Sequence, residues 1–433
     1  MEKIATFADI VTLLLTALMC VSAAKRWKRS EKSIFFYVFV FFYVVPLFLD
    51  YLCAFPDYSY SADLYGFKMT YMDPLTRVIY DCIILLVQWM LLHLRIKTEK
   101  PVVFVHEEKW FKQIKKMLYV GIFSAPVMTL LFGSNKAILY TFMWRENELA
   151  PGGYLPVAER LSYVGICCAV VLFFLKTTEH RFERRLISLL LIYVNVCIEG
   201  KRSITFFLLL VVFIVMFPGI LDRSISLKSR RRRMVVLAIL LMLCLTIMVI
   251  FTITVKMENR GYAGFGSVYT TLRIDFFRDD RVRMAIYSML YPQEMTILTY
   301  PGQTLIPAIL HFFPLDYIFG FMGVRQPMAY TAYISAALRG SSMVSQQEAF
   351  MTPAIFAELL SNFHVIGIIL FIAVTLWCAK QVRKYPYPAN VFIIISYAML
   401  QTYSIAYMSF LLEATVIMCV LCRVRFVRRR GMY

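Results

Sequence analysis

The chain has 433 residues, of which 60% are hydrophobic and only 17% are charged. A soluble protein of this composition could not cover its surface with polar groups, and disordered chains, coiled coils and small disulfide scaffolds are excluded as well. The net charge of +19 would favour nucleic acid in a soluble protein, but here the cations cluster between long apolar runs. We therefore expect a membrane protein that contacts anionic lipids and binds no nucleic acid.

The first apolar run covers residues 4–24. Glu2 lies just before this segment and Asp9 near its start, and a cluster of Lys and Arg follows it at 25–32, which reverses the order found in a signal peptide. We predict an uncleaved first helix whose N-terminus is outside the cytoplasm, since cations favour the cytoplasmic side.

Further runs of about the length of a membrane span follow. They cover residues 33–54, 75–97, 117–141, 161–176, 234–255 and 353–379. The loops between the early runs alternate between an acidic, tyrosine-rich type and a basic type. The positive-inside rule places the basic loops in the cytoplasm.

Two longer apolar stretches, 186–220 and 389–422, are each flanked by basic clusters on both sides. Both clusters stay in the cytoplasm only if each stretch is a hairpin. We predict a recessed outer tip at Gly200-Lys201-Arg202 for the first hairpin and a turn near Gln401–Ser404 for the second. The prediction is an all-α, polytopic protein with about eleven transmembrane helices, a single membrane domain over 1–433 and a cytoplasmic C-terminus.

Residues 256–352 form the one large extracytoplasmic loop, and their cations are mostly arginines. Apolar stretches at 284–291 and 303–322 indicate short amphipathic or re-entrant helices. Arginine forms planar, bidentate contacts with phosphates, so an anion site is one interpretation. The alternative is a surface helix over 271–291 held by its own ion pairs, such as Asp279–Arg283.

Several ionisable residues fall in the outer half of predicted spans, where a charge costs about 2.5–3.5 kcal/mol on insertion scales. Such residues face a polar cavity or satisfy one another. Glu358 and Asn362 are four residues apart on one helix face. The residues concerned are Asp50, Asp81, Glu199, Lys201, Arg202, Glu358, His364 and Glu413. Cysteines show no metal-binding spacing, and we expect no metal site and no cofactor.

The chain resembles the bacterial polysaccharide repeat-unit polymerases, the O-antigen and capsule polymerase family. Four elements carry the resemblance: Gly200-Lys201-Arg202-Ser203; Arg273-Ile-Asp275 with Arg278-Asp279-Asp280; Tyr300-Pro301-Gly302 leading to Phe313-Pro314; and Thr352-Pro353 with Glu358-Leu359-Leu360-Ser361-Asn362-Phe363. They lie within roughly residues 186–380. The chain departs from the pattern at Leu315, where an Arg is frequent, and at His364, where a Gly is frequent.

The resemblance implies an enzyme of the bacterial cytoplasmic membrane that transfers glycans outside the cytoplasm. Donor and acceptor would both be oligosaccharides on undecaprenyl pyrophosphate, and a chain-length regulator would be a candidate partner protein. The pyrophosphate leaving group needs positive charge, and the acceptor hydroxyl needs orientation or a base. The expected base is Glu358, with His364 or His311 as alternates. The expected pyrophosphate or glycan ligands are Lys201, Arg202, Arg273, Arg278, Arg325, Arg339 and Asn362.

Two other functions remain open. A ligase that passes the same lipid-linked glycan to a different acceptor would share this architecture. A polysaccharide transporter or flippase is the third alternative, although transporters tend to have repeated halves and a site at the membrane midplane.

Overall fold

The computed structural model describes part of the chain. The main described ranges are 1–26, 32–52, 72–94, 102–105, 277–312, 329–339, 353–384 and 425–428, with scattered positions at 115–127, 226–239, 322 and 393–405. The predicted spans at 117–141, 161–176, 186–220 and 234–255 lie wholly or largely outside the described residues.

The described elements are nine helices and two short strands. The helices are α1 (Glu2–Arg26), α2 (Lys32–Tyr43), α3 (Val45–Leu52), α4 (Pro74–His93), α5 (Asp279–Leu290), α6 (Leu305–Phe312), α7 (Tyr330–Arg339), α8 (Ile355–Phe363) and α9 (Val365–Lys384). The strands are β1 (Val102–Val105) and β2 (Arg425–Arg428).

Three of the described helices are long and apolar enough to cross a membrane: Glu2–Lys25, Pro74–His93 and Val365–Lys384. The pair α2 and α3 qualifies as a fourth, broken span, with a bend of 42°. These helices overlap the predicted spans 4–24, 75–97, 353–379 and 33–54. The membrane character is thus confirmed at this level, and the total of about eleven spans stays a prediction.

The prediction for 353–379 is wrong in one respect. Helix α8 ends at Phe363, and His364 has a φ of 51°, so a separate helix α9 begins at Val365. Only α9 is long enough to cross a membrane. Glu358 therefore lies in a nine-residue helix that precedes the span, rather than in the outer half of the span itself.

Helices α1 and α4 lie side by side and run in the same direction. Near their N-terminal ends, the Arg77 guanidinium of α4 pairs with the Asp9 carboxylate of α1. Further along both helices, the Thr16 hydroxyl donates to Gln88 Oε1 at 3.0 Å. This parallel arrangement is the one that the predicted alternation of basic loops gives to the first and third spans.

The bend between α2 and α3 has a covalent cause. Pro46 has no N–H to donate to the Phe42 carbonyl one turn earlier, and its ring crowds that carbonyl. The Phe42 carbonyl instead accepts from the backbone N–H of Arg278 at 3.1 Å, and the neighbouring Tyr43 carbonyl accepts from the Tyr80 hydroxyl at 2.5 Å. The bend thus supplies the acceptors that join α2 to α4 and to the start of α5.

Helix α5 is buried, and this overturns the interpretation of residues 271–291 as a surface helix. The ion pair predicted between Arg283 and Asp279 forms, at 3.7 Å, but both side chains are 0% exposed. The helix packs against α4 and α8. The Arg283 guanidinium also lies over the Tyr80 ring, 4.5 Å from its centroid, as cation–π contacts require.

The expectation of an all-α chain holds for most of the described residues, with one correction. Strands β1 and β2 pair antiparallel, with Val102 opposite Arg428 and Val105 opposite Arg425. Both segments were predicted to lie on the cytoplasmic side. Their β-branched and aromatic residues favour strand pairing even where the sequence shows no periodic pattern. An alternating pattern cannot be recognised in four residues, so no feature of the sequence predicted this pairing.

The chain folds as two compact units. The first contains Met1–Lys97, Gly264–Lys380 and Tyr397–Ser409, and the second contains the remaining segments, including both strands. All residues of the candidate site described next belong to the first unit. The prediction of one membrane domain over 1–433 stays a prediction.

Candidate functional site

The candidate site is built around Glu358, which lies in the first half of α8. The residues of this short helix are nearly all buried, and Glu358 itself is 0% exposed. A buried carboxylate requires hydrogen-bond donors or a cation, because the loss of hydration is otherwise uncompensated.

Both oxygens of the Glu358 carboxylate accept hydrogen bonds. The Thr304 hydroxyl donates to Oε1 at 2.6 Å, and the backbone N–H of Ile405 donates to Oε2 at 2.7 Å. Among the described residues no Arg or Lys forms an ion pair with Glu358. The described partners of the Glu358 carboxylate are thus a side-chain hydroxyl and a main-chain amide.

Asn362 completes the cluster from the next turn of α8. Its side-chain amide donates to the Thr304 hydroxyl oxygen and to the Glu358 carbonyl, both at 2.8 Å. The prediction that Glu358 and Asn362 share one face of a helix is confirmed. The Thr304 oxygen accepts from Asn362, and the hydrogen of the same hydroxyl is donated to the Glu358 carboxylate.

The electrostatic character of the carboxylate follows from these contacts. Helix α8 lies outside the helices that can span a membrane. Burial raises the pKa of Glu358 from 4.5 to about 7, while the hydrogen bonds from Thr304 and from the Ile405 amide lower it. A pKa near neutrality is the value that a general base needs at physiological pH.

The segment that carries Thr304 is held in place by its turn. Gly302 has a φ of +77°, a backbone conformation that disfavours side chains, and its carbonyl accepts from the Leu305 N–H at 3.0 Å. Gln303 Oε1 accepts from the Thr299 N–H at 2.8 Å. This turn begins α6 and presents the Thr304 hydroxyl to α8.

A second hydrogen bond joins α7 to α8 close to the carboxylate. The Tyr330 and Ser361 hydroxyls are 2.9 Å apart. Burial raises the pKa of the Tyr330 hydroxyl, the hydrogen bond with Ser361 lowers it, and the charges of Glu358 and Arg281 raise and lower it respectively.

His364 does not join the Glu358 cluster. The residue is exposed, and among the described residues its ring makes no hydrogen bond or ion pair. Its backbone makes the contacts instead: the His364 N–H donates to the Leu360 carbonyl at 2.7 Å, and its own carbonyl accepts from Gly367 at 2.9 Å. The structure thus offers no support for His364 as an alternate base beside Glu358.

Arg278 lies at the start of α5 and is 2% exposed. Its guanidinium donates to the Phe277 carbonyl at 2.6 Å. Among the described residues, no contact joins Arg278 to Glu358. The predicted role of Arg278 as a pyrophosphate ligand therefore gains no support from a position beside the carboxylate.

The other predicted site residues cannot be placed in the cluster. His311 lies in α6 and Arg339 is the last residue of α7, but their side chains lie outside the described part of the chain. Lys201, Arg202, Arg273 and Arg325 lie outside it altogether. Their assignments stay predictions.

Three ionisable residues from the predicted outer halves of spans can be examined together. Asp50, Asp81 and Glu358 are 1%, 2% and 0% exposed. All three side chains are therefore enclosed by protein rather than by lipid, as the cost of a charge in hydrocarbon demands.

Sequence reasoning missed Thr304 and Ile405, the two donors to the carboxylate. Thr304 directly follows the Tyr300-Pro301-Gly302 turn, and a hydroxyl at the start of an apolar run is a weak signal that could have singled it out. Ile405 could not have been found, because its contribution is a backbone N–H, which every residue except proline possesses.

Comparison with known proteins gives no assignment. The chain matches no family model, no curated protein and no solved structure. Its function must therefore be inferred from its own residues.

Proposed function

We propose that this membrane protein transfers glycans between polyprenyl-pyrophosphate carriers at the extracytoplasmic face of a bacterial cytoplasmic membrane, polymerising oligosaccharide repeat units. The proposal combines the resemblance of residues 186–380 to the polysaccharide polymerases with the geometry around Glu358. The observation that carries it is the hydroxyl–carboxylate contact between Thr304 and Glu358 immediately before a membrane-spanning helix.

This contact has the geometry that general-base catalysis requires. A base must lie about 2.6–3.2 Å from the hydroxyl that it deprotonates, and Thr304 Oγ1 is 2.6 Å from Glu358 Oε1. In the proposed reaction a sugar hydroxyl of the acceptor takes the place of Thr304 at the carboxylate. Asn362, which donates to the Thr304 oxygen at 2.8 Å, would then donate to the oxygen of the sugar hydroxyl.

The proposed step is a displacement at the anomeric carbon of the donor glycan. The acceptor oxygen forms the new glycosidic bond, its proton passes to Glu358, and the bond from the anomeric carbon to the pyrophosphate oxygen breaks. The lipid pyrophosphate leaves with the electron pair. It departs already ionised, so that it needs nearby positive charge rather than a proton.

Arginines would supply that charge. One pair of unit charges about 4 Å apart contributes on the order of 4 kcal/mol at an effective dielectric constant near 20. Arg202, Arg273, Arg325 and Arg339 are the proposed sources, with Lys201. Arg278 becomes a weaker proposal because its guanidinium already donates to a backbone carbonyl in the protein interior.

A gene deletion separates this function from its alternatives. If the surface glycan is reduced to a single repeat unit, the protein is the polymerase. If no glycan is attached to its final acceptor while long lipid-linked chains accumulate, it is a ligase. If the lipid-linked repeat unit accumulates on the cytoplasmic face, it is a flippase, and the proposed reaction is wrong.

A further inference from the structure

Two acidic side chains from neighbouring helices meet inside the first unit. Asp9 is the eighth residue of α1 and Asp81 is the eighth residue of α4, so each lies about 10 Å along a helix that is able to cross a membrane. They are 0% and 2% exposed, and their carboxyl groups are within hydrogen-bonding reach of each other. Carboxyl groups buried in this way need donors or cations to replace the lost hydration.

Asp9 has its described partners on one oxygen. Its Oδ2 accepts from the Tyr51 hydroxyl at 2.7 Å and from the Arg77 guanidinium. Arg77 also pairs with Glu2, near the start of α1. The other oxygen, Asp9 Oδ1, is buried and accepts from no described residue. One cation thus lies beside the Asp9 carboxylate, and one Asp9 oxygen lacks a donor.

Asp81 lacks a donor at both oxygens. Each is buried and accepts no hydrogen bond from any described residue, and no described Lys or Arg forms an ion pair with it. The charged groups that act on Asp81 are Asp9 of α1, Arg283 of α5 and Arg77 of its own helix. Arg283 pairs with Asp279 at 3.7 Å. Since Arg77 pairs with Asp9, both guanidinium groups already have an anion beside them.

A proton on Asp81 satisfies both carboxyl groups. Two carboxylates only accept hydrogen bonds, so the contact between Asp9 and Asp81 is a hydrogen bond only when one of them is protonated. A proton on Asp81 supplies the donor that Asp9 Oδ1 lacks, and it removes a negative charge that would otherwise be repelled by Asp9. The remaining charges, one on Asp9 and one on Arg77, then balance. Helix α2, which also packs against α4, brings no further anion, and its one charged residue is Lys32 at its first position.

A metal ion is the other ligand that could join two carboxylates. Hard cations such as Ca²⁺ and Mg²⁺ require about six or more oxygen ligands. Within the described part of the chain, no group of three or more His, Cys, Asp or Glu side chains could hold one. The arrangement of Asp9 and Asp81 therefore favours a proton.

We propose that Asp9 and Asp81 bind one proton between them, carried by Asp81, inside the membrane-spanning part of the protein. The proton forms the hydrogen bond from the Asp81 carboxyl group to Asp9 Oδ1. Its release leaves two adjacent carboxylates, whose repulsion weakens the contact between α1 and α4. This site goes beyond the proposed glycosyl transfer and does not rest on it.

The test detects the proton directly in the full chain in nanodiscs at neutral pH. In infrared spectra, the C=O stretching band of a protonated carboxyl group is separate from the bands of a carboxylate. The wild type is compared with Asp81→Asn and Asp9→Asn. Glu358→Gln is included because burial raises the pKa of Glu358 to about 7, and its band must be identified separately. Asp73→Asn is the matched control, since Asp73 caps α4 by accepting from the Leu75 N–H at 3.1 Å and asparagine caps a helix equally well.

The wild type should show a carboxylic acid band that is absent from Asp81→Asn and is retained in Glu358→Gln and Asp73→Asn. Asp9→Asn should lose the same band, because the asparagine amide then donates to Asp81 in place of the proton. Asp81→Asn should unfold at the same temperature as the wild type at neutral pH. Its amide N–H replaces the carboxyl O–H as the donor to Asp9.

Three results would overturn the proposal. The first is a wild type without such a band, or a band that Asp81→Asn or Asp9→Asn retains in full. The second is a large fall in the unfolding temperature or protein level of Asp81→Asn, which would indicate an ionised Asp81 paired with a cation. The third is a higher unfolding temperature of the wild type, and not of Asp81→Asn, in sodium chloride than in choline chloride of equal ionic strength, which would assign the site to a metal ion. Equal unfolding temperatures in the two salts would support the proton.

Discussion

Replacing Glu358 with glutamine separates a catalytic carboxylate from a structural one, because the side chain keeps its shape and loses its charge. Glu358 accepts from the Thr304 hydroxyl at 2.6 Å and from the Ile405 N–H at 2.7 Å. In Glu358→Gln the amide oxygen can keep the Ile405 bond, and the amide nitrogen can donate to the Thr304 oxygen. The Ile405 N–H thus keeps its acceptor, whereas the Thr304 hydroxyl changes from donor to acceptor at this position.

The expected change in the free energy of unfolding follows from the kind of hydrogen bond that remains in Glu358→Gln. A hydrogen bond to a charged group contributes about 1.5–3 kcal/mol and a neutral one about 0.5–1.5 kcal/mol. Two bonds are weakened, but an ionised carboxylate no longer has to be buried. We expect Glu358→Gln to be destabilised by about 0–2 kcal/mol, to reach the membrane at normal levels and to make no polymer.

Two further variants isolate the cause. Glu358→Leu leaves both donors unpaired at about 1–3 kcal/mol each, so a purely structural role predicts a large loss of protein level. Thr304→Val removes the hydroxyl and keeps the base, so the catalytic role predicts that polymer is still made. Glycan length on gels, protein level by immunoblot and thermal unfolding in detergent are measured for each. Wild-type polymer from well-expressed Glu358→Gln would refute the catalytic assignment.

Glu358→Gln should also change how the free energy of unfolding depends on pH. Burial raises the pKa of Glu358 from 4.5 to about 7, so between these values the folded protein retains a proton that the unfolded chain releases. The free energy of unfolding contributed by this group is therefore greatest below about pH 4.5 and falls as pH rises towards about 7. Catalysis needs the ionised form, and turnover should instead increase through pH 7. Glu358→Gln should lack this component of the stability profile, and an unchanged profile would contradict the raised pKa.

Three other predictions concern packing and charge. Arg77→Ala should lower the free energy of unfolding by about 3–5 kcal/mol, measured by denaturation in detergent, because it leaves Asp9 buried without its cation; an unchanged stability would mean that another group neutralises the carboxylate. Gly367→Ala should cost about 1–3 kcal/mol through its collision with the α8 backbone, and a neutral result would show that α8 and α9 are farther apart. Arg202→Lys should shorten the glycan at normal protein level because the bidentate fork is lost, whereas Arg283→Lys should act on thermal stability; normal glycan from Arg202→Lys would exclude the proposed pyrophosphate contact.

Hydropathy predicted the candidate spans that the structure describes, but the prediction failed where a nine-residue helix and a spanning helix share one apolar run. Residues 353–379 are continuously compatible with a span, yet the chain breaks at His364. At this break Gly367 comes close to the α8 backbone, a local contact with no periodic signature in the sequence. Charge parity predicted the turn of a hairpin near Gln401–Ser404. The structure describes a turn there, in which the Gln401 N–H donates to the Ala398 carbonyl at 3.2 Å, and the hairpin itself stays a prediction.

The candidate site was predictable only in part, for a related reason. Glu358 and Asn362 were found because their spacing places them on one helix face. Their partner Thr304 is 54 residues away from Glu358 in the sequence, and no local pattern joins the two segments. The sequence also did not predict which of these side chains is exposed. His364 and Glu358 are six positions apart along the chain, but His364 is exposed and Glu358 is fully buried.

The buried charges of α5 narrow the choice of groups that could stabilise a pyrophosphate. Arg283 pairs with Asp279, and Arg281 lies 3.7 Å from Asp280, so each of these cations has an anion beside it in the protein interior. A neutralised pair has little net charge to offer to a leaving group, and breaking it would leave a buried carboxylate uncompensated. The arginine count of the loop therefore overstates the charge that these residues could offer in the proposed reaction. If the proposed reaction takes place, the positive charge at the leaving pyrophosphate would come from cations other than Arg281 and Arg283.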